Sequence, residues 1–175
     1  MDNYNKLVLE LLKHPKETEW LEFKHNNDKP DEIGEYISAL SNSAAHANRD
    51  VAYMVWGIDN ETHAIVGTSF DYTKAKVGNE ELENWLRRML SDNANFSFHS
   101  VEIDNFALVL LIIYRATSRT VRFKNVDYIR VGSYKKQLNK YPAIEAELWR
   151  KLNDANYENS HAKKRFTSSR SFGLA

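Results

Sequence analysis

Two stretches of the chain carry side chains that could do chemistry. The first is acidic: Glu17, Glu19 and Glu22, closed by Lys24. Glu22 and Lys24 are two residues apart, so in a strand they share a face. A carboxylate there can hold a divalent ion, and the ammonium beside it can steady a scissile phosphate or an attacking water. One carboxylate is too few for magnesium. Asp59 supplies a second, at the C-terminal end of the next strand, where α/β sheets gather ligand sites. Glu17 supplies a third only if it precedes the strand, because five residues of continuous strand would put it opposite Glu22. The plainer reading has Glu17 and Glu19 solvated and Glu22–Lys24 as an edge-strand ion pair.

The second stretch is basic. Between Tyr114 and Tyr141 lie Arg115, Arg119, Arg122, Lys124, Arg130, Lys135, Lys136 and Lys140 against a single acid, Asp127. Tyr114, Phe123, Tyr128, Tyr134 and Tyr141 interleave with them. Cations neutralise phosphates and aromatic rings stack on unpaired bases. The segment Arg130-Val131-Gly132-Ser133-Tyr134-Lys135-Lys136 is the best candidate for nucleic-acid contact. Gly132 lets backbone amides approach an anion, with the Ser133 hydroxyl and two ammoniums nearby. The alternative is a solvated hairpin with long cationic side chains.

Other chemistries lack their residues. There is no G-x-x-x-x-G-K-[ST] phosphate loop, and Gly57, Gly67 and Gly132 make no dinucleotide fingerprint. The six histidines form no H-x-x-x-H pair, which argues against a zinc site. No serine sits in a nucleophile elbow. The absence of cysteine removes disulfides, thiolate catalysis and cysteine metal sites together.

The elements that must position the two stretches follow from periodicity. Leu7, Val8, Leu11 and Leu12 mark a helix ended by His14-Pro15. Trp20–Lys24 reads as a strand with Leu21 and Phe23 on one face and Trp20, Glu22 and Lys24 on the other. Pro30, Asp31 and Glu32 open a helix with an apolar stripe of Ile33, Tyr36, Ile37 and Leu40. Val51–Ile58 reads as a buried strand stopped by Gly57-Ile58-Asp59-Asn60, and Ile65-Val66-Gly67 as a brief returning one. Asn79 is expected to cap a third helix whose buried face is Leu82, Trp85, Leu86 and Met89. Phe96–Ile103, Phe106–Tyr114 and Asp127–Val131 read as strands, the first two joined by an Asp104-Asn105 hairpin turn. Tyr141-Pro142 opens a last helix bearing Ile144, Leu148 and Leu152. The expectation is a single layered α/β (mixed α+β) domain, with a mixed sheet of about five or six strands and about four helices.

The 175 residues suit one domain, and 42% apolar with 12% aromatic content can bury a core. Lys+Arg and Asp+Glu are equal at 24 each, which excludes a uniformly basic nucleic-acid binder but not a local patch. The balance is uneven: residues 159–175 carry Lys163, Lys164, Arg165 and Arg170 and no acid, leaving 20 basic and 24 acidic residues in 1–158. We therefore expect a domain over 1–158 and a flexible basic tail or linker over 159–175. The longest apolar run, Phe106–Ile113, is far short of the roughly 20 residues a membrane helix needs. A cytoplasmic protein without membrane contact is expected.

Three segments together resemble a known family. Glu17-Thr-Glu-Trp-Leu-Glu22-Phe-Lys24 resembles the E-x-x-x-x-E-F-K opening of the Schlafen-type AlbA-like domain, as found in bacterial members. Ile37-Ser-Ala-Leu-Ser-Asn42-Ser43 with Val55-Trp-Gly57-Ile-Asp59 resembles its helix and following strand end, and Tyr128-Ile-Arg130-Val-Gly132-Ser133 its Y-I-R-x-G-S segment. The family's usual Gly-Gly after the asparagine is missing; this chain has Ala44-Ala45-His46-Ala47-Asn48-Arg49-Asp50 instead. The resemblance implies a nucleic-acid-binding domain of mixed α/β fold. In bacteria such domains often begin longer proteins labelled as DNA-binding or transcriptional regulators. In animals paired domains grip structured RNA, and some cut transfer RNA with three carboxylates and a divalent ion. Carried over by residue, the metal ligands would be Glu17, Glu22 and Asp59, holding magnesium or manganese, with Lys24 as the fourth catalytic residue. Arg130, Gly132, Ser133, Tyr134, Lys135 and Lys136 would hold the nucleic acid. Three functions stay open: a metal-dependent endonuclease acting on tRNA-like RNA, a non-catalytic DNA-binding, regulatory module of a larger protein, or a protein-interaction domain with no nucleic-acid role, which the acidic balance of residues 1–158 allows. A homodimer is a further open partnership.

Overall fold

A four-stranded mixed sheet carries the domain, and the two candidate stretches lie at one of its edges and in a small sheet beside it. The computed structural model describes residues 3–14 and 18–171. Chain order is α1 (Asn3–Leu11), β1 (Leu21–Lys24), α2 (Pro30–His46), β2 (Val51–Trp56), β3 (Lys76–Val77), β4 (Glu80–Glu81), α3 (Leu82–Met89), β5 (Phe96–Ile103), β6 (Phe106–Tyr114), β7 (Arg122–Phe123), β8 (Val126–Val131), β9 (Tyr134–Gln137), a single 3-10 turn at Leu138–Lys140, and α4 (Pro142–Ser171). The main sheet has the order β1-β2-β6-β5; β3-β4 and β7-β8-β9 form two smaller sheets. The mixed α+β expectation holds.

β1 and β2 run parallel, with Leu21 opposite Tyr53 and Lys24 opposite Trp56, and α2 is the crossover between them. The strand alternation read from sequence is the one observed. Leu21 and Phe23 join Val8, Leu11, Val55 and Leu110 under α1. On the other face Met54, Trp56, Val109 and Leu111 pack with Ile33, Ile37 and Leu40 of α2, Leu86 of α3 and Leu148 of α4. Glu22 and Lys24 point into that second layer, towards α2. The β5–β6 turn is Asp104-Asn105 as expected, both at positive φ (52° and 66°), the backbone of a tight primed hairpin.

Three expectations are corrected. Asn79 does not cap α3: the helix begins at Leu82 after Glu81, because Gly78 and Asn79 form the turn of the β3–β4 ribbon. Glu80 instead accepts from Asn84 and Arg88, both at 2.7 Å. The strand expected at Ile65–Gly67 shrinks to one bridge, Ile58 to Ile65. The stretch expected as a tail is helical as far as Ser171, since no Gly or Pro interrupts the chain between Pro142 and Gly173. Residues 172–175 lie outside the described residues.

The serines and asparagine of α2 are buried and structural. β9 pairs with one flank of β8; on the other, β7 pairs with Val126 and Asp127, and α2 side chains serve the residues beyond. Ser38 accepts from the Tyr128 amide at 3.0 Å and donates to the Val121 carbonyl at 2.7 Å. Asn42 donates to the carbonyls of Val121 and Tyr128, both at 2.9 Å, and accepts from the Val121 amide at 2.8 Å. Ser43 accepts from the Arg130 amide at 2.9 Å. A helix thus substitutes for a neighbouring strand and fixes where β8 and its Arg130 stand.

Candidate nucleic-acid interface

Arg130 enters the interior from β8, and Glu22 meets it from β1. The Arg130 residue is 2% exposed and Glu22 4%. Their guanidinium and carboxylate are in direct contact through Nη1 and Oε2. Arg130 Nη2 also donates to the Thr18 carbonyl at 3.1 Å. The second carboxylate oxygen of Glu22 faces Lys24 Nζ at 3.0 Å. Lys24 goes on to donate to the Tyr36 hydroxyl at 3.3 Å. The plainer reading of Glu22–Lys24, an edge-strand ion pair, is what the geometry contains, with a buried arginine added.

Tyr36 is the hub of this cluster. Its ring centre lies 4.9 Å from Lys24 Nζ, 4.5 Å from Lys135 Nζ and 5.6 Å from Arg130 Cζ. Lys135 pairs with Glu35, which also accepts from the Tyr128 hydroxyl at 3.3 Å. Burial raises the Tyr36 pKa and the Glu22 charge adds to it, with Lys24 and Arg130 only partly offsetting them. Burial alone would lower Lys24; the Glu22 carboxylate and Tyr36 outweigh it, and its pKa is raised. Sequence reasoning saw Tyr36 as one more apolar stripe residue and passed over Glu35. Neither carries a local signal, because their partners lie on other elements: Lys24 on β1 for Tyr36, and residues of β8 and β9 for both.

Asp59 is not part of this cluster. It is a half-buried residue at the start of a turn, and its Oδ1 accepts from the amides of Glu61 (3.0 Å) and Thr62 (2.7 Å) and from the Thr62 hydroxyl (2.9 Å). Those bonds, from Thr62 first, hold its pKa below the ordinary carboxylate range. Glu17 lies outside the described residues. Among the described residues no group of three or more His, Asp or Glu side chains is placed to hold a metal ion. A divalent ion at Glu22 would have to displace two cations, one of them sealed from water. As placed, Glu22 is held by two cations and Asp59 by its own turn, so neither of these two carboxylates is arranged as a metal ligand.

The basic stretch is divided between inside and outside. Lys124 pairs with Asp31 at 2.7 Å, Arg122 with Asp127 at 3.2 Å, Arg115 with Asp50 at 3.9 Å, and Arg119 with Asp92. The β8–β9 hairpin tip is different. Gly132 turns at φ 62°, Ser133 is exposed, Tyr134 is 69% exposed, and exposed Lys136 stands 5.6 Å from the Tyr134 ring. Of the six residues expected to hold nucleic acid, Gly132, Ser133, Tyr134 and Lys136 face solvent, Lys135 is half-buried, and Arg130 is internal.

Residues 17–139 match the family model described as Schlafen, AlbA_2. The chain belongs to this Schlafen AlbA_2 family. Membership suggests a nucleic-acid-binding domain. Among solved structures, the chain is similar to the DIP2311 protein from Corynebacterium diphtheriae, at 15% identity and a TM-score of 0.46. The alignment covers 75% of this chain and 29% of that one, so the chain spans less than a third of that protein's length. No match was found among curated proteins. Among the described residues of this Schlafen AlbA_2 domain, no helix is long and apolar enough to cross a membrane.

Proposed function

We propose that this Schlafen AlbA_2 domain binds nucleic acid without cutting it, acting as the recognition module of a regulatory protein. The observation that carries the reading is the β8–β9 hairpin tip. There an exposed tyrosine, a neighbouring lysine, a hydroxyl and a glycine turn stand clear of the surface, held from below by α2. An aromatic ring beside a cation suits an unpaired base and its phosphate. The catalytic alternative, metal-dependent RNA cleavage through Glu17, Glu22 and Asp59 with Lys24, would require Glu22 to leave both of its cations. Fluorescence anisotropy with labelled single-stranded RNA and DNA tests the binding reading. Affinity should fall steeply with salt, and Tyr134→Ala and Lys136→Glu should each weaken it. Absence of binding at low salt would contradict the reading.

A further inference from the structure

We infer that the Glu22 cluster of this chain is an anion site: Glu22 serves as an internal counter-ion, and Lys24 and Lys135 take a backbone phosphate beside Tyr36. The identity of the anion rests on the nucleic-acid reading above; the exclusion of a metal does not.

Three cations, Lys24, Lys135 and Arg130, surround Tyr36, against two carboxylates, Glu22 and Glu35. Arg130 has no exposed side-chain area and Glu22 only 5%, so these two neutralise each other inside the protein. What faces solvent is the other part of the cluster. Lys24 and Lys135 each keep 17% of their side chains exposed, and Glu35, paired with Lys135, keeps 27%. Lys24 shares its carboxylate with Arg130, so among the described residues the cluster carries one positive charge in excess. A divalent cation approaching Glu22 would meet Lys24 and Arg130 at contact distance, in surroundings that screen charge poorly. A phosphate meets the same two lysines with the opposite sign, and an ammonium is suited to it as a point charge. Among the described residues the Arg130 Nε is buried behind them with no hydrogen-bond partner.

The test uses the full chain with two separate probes. The first is manganese chloride alone, followed by calorimetry. No saturable binding is expected at millimolar manganese; saturable binding that disappears in Glu22→Gln would overturn the exclusion of a metal. The second is a short labelled single-stranded RNA, with circular dichroism to confirm that each variant is folded. Lys24→Gln and Lys135→Gln should each weaken binding several-fold and reduce the salt slope by about one. If both bind as the parent does while Lys136→Glu weakens binding, the phosphate site is wrong and the hairpin reading stands. If the parent chain binds no RNA, the phosphate assignment falls together with the proposed function, and the manganese result is read on its own.

Discussion

Arg130 donates to Glu22 across 108 residues of sequence, and neither side chain has more than 5% of its area exposed. The pair ties the three-stranded sheet to the edge strand of the main sheet. Arg130 secures the tie further through the Thr18 carbonyl, and Ser43 of α2 fixes its backbone. The Glu22 carboxylate, which reads in sequence as a metal ligand, fastens two layers together.

Removing one partner should therefore cost far more than removing both. Glu22→Leu strands a buried guanidinium and should destabilise by about 3–5 kcal/mol. The double variant Glu22→Leu/Arg130→Met should be markedly more stable than Glu22→Leu alone. Urea unfolding of the cycle checks this; strictly additive losses would show the two residues to be uncoupled.

The buried Asn42 side chain makes three hydrogen bonds to two backbone segments, the two to Val121 fully buried. Asn42→Ala leaves those groups unsatisfied and should cost about 3 kcal/mol. Its particular signature is local: the Val121 amide should lose hydrogen-exchange protection well before the β2–β6 ladder does.

Gly34 sits in mid-helix with the ring of buried Phe123 where its side chain would be. Alanine usually improves a helix interior by about 1 kcal/mol over glycine. Here overpacking should reverse the sign, and Gly34→Ala should destabilise by about 1–3 kcal/mol. Phe123→Leu in the Gly34→Ala background should recover part of the loss relative to its effect in the parent chain.

Alkaline pH should weaken the Tyr36 cluster. Lys24 and Tyr36 both have raised pKa values in the folded state, so both bind their protons more tightly when folded. Their contribution is complete below their unfolded values, near pH 10, and is lost as pH rises through the folded ones. Unfolding free energy measured upwards from neutrality should fall above about pH 10, and fall less steeply in Tyr36→Phe.

Much of this was legible in the sequence, for identifiable reasons. Leu21 and Phe23 declared the buried face of β1 by period two, and Pro30-Asp31-Glu32 declared the start of α2. Asp104-Asn105 announced its hairpin without a glycine because both residues tolerate positive φ. The second such turn, Lys124-Asn125, stayed hidden because lysine is a poor turn signal. The charged stretches were found, but not their partition. Period two puts Glu22 and Lys24 on one face, yet nothing local says that Arg130 waits opposite while Tyr134 and Lys136 point outwards. That partition is set by α2, whose Ser38, Asn42 and Ser43 dock β8 through contacts no local pattern encodes.

The central claim, binding without cutting, is tested most directly by incubating the purified chain with labelled transfer RNA and single-stranded DNA. Each would be run with manganese and with chelator, beside Glu22→Gln, and read as both mobility shift and cleavage. The account predicts a salt-sensitive shift that is the same with metal or chelator, and intact nucleic acid throughout. Manganese-dependent fragments from the parent chain that vanish in a folded Glu22→Gln variant would contradict it.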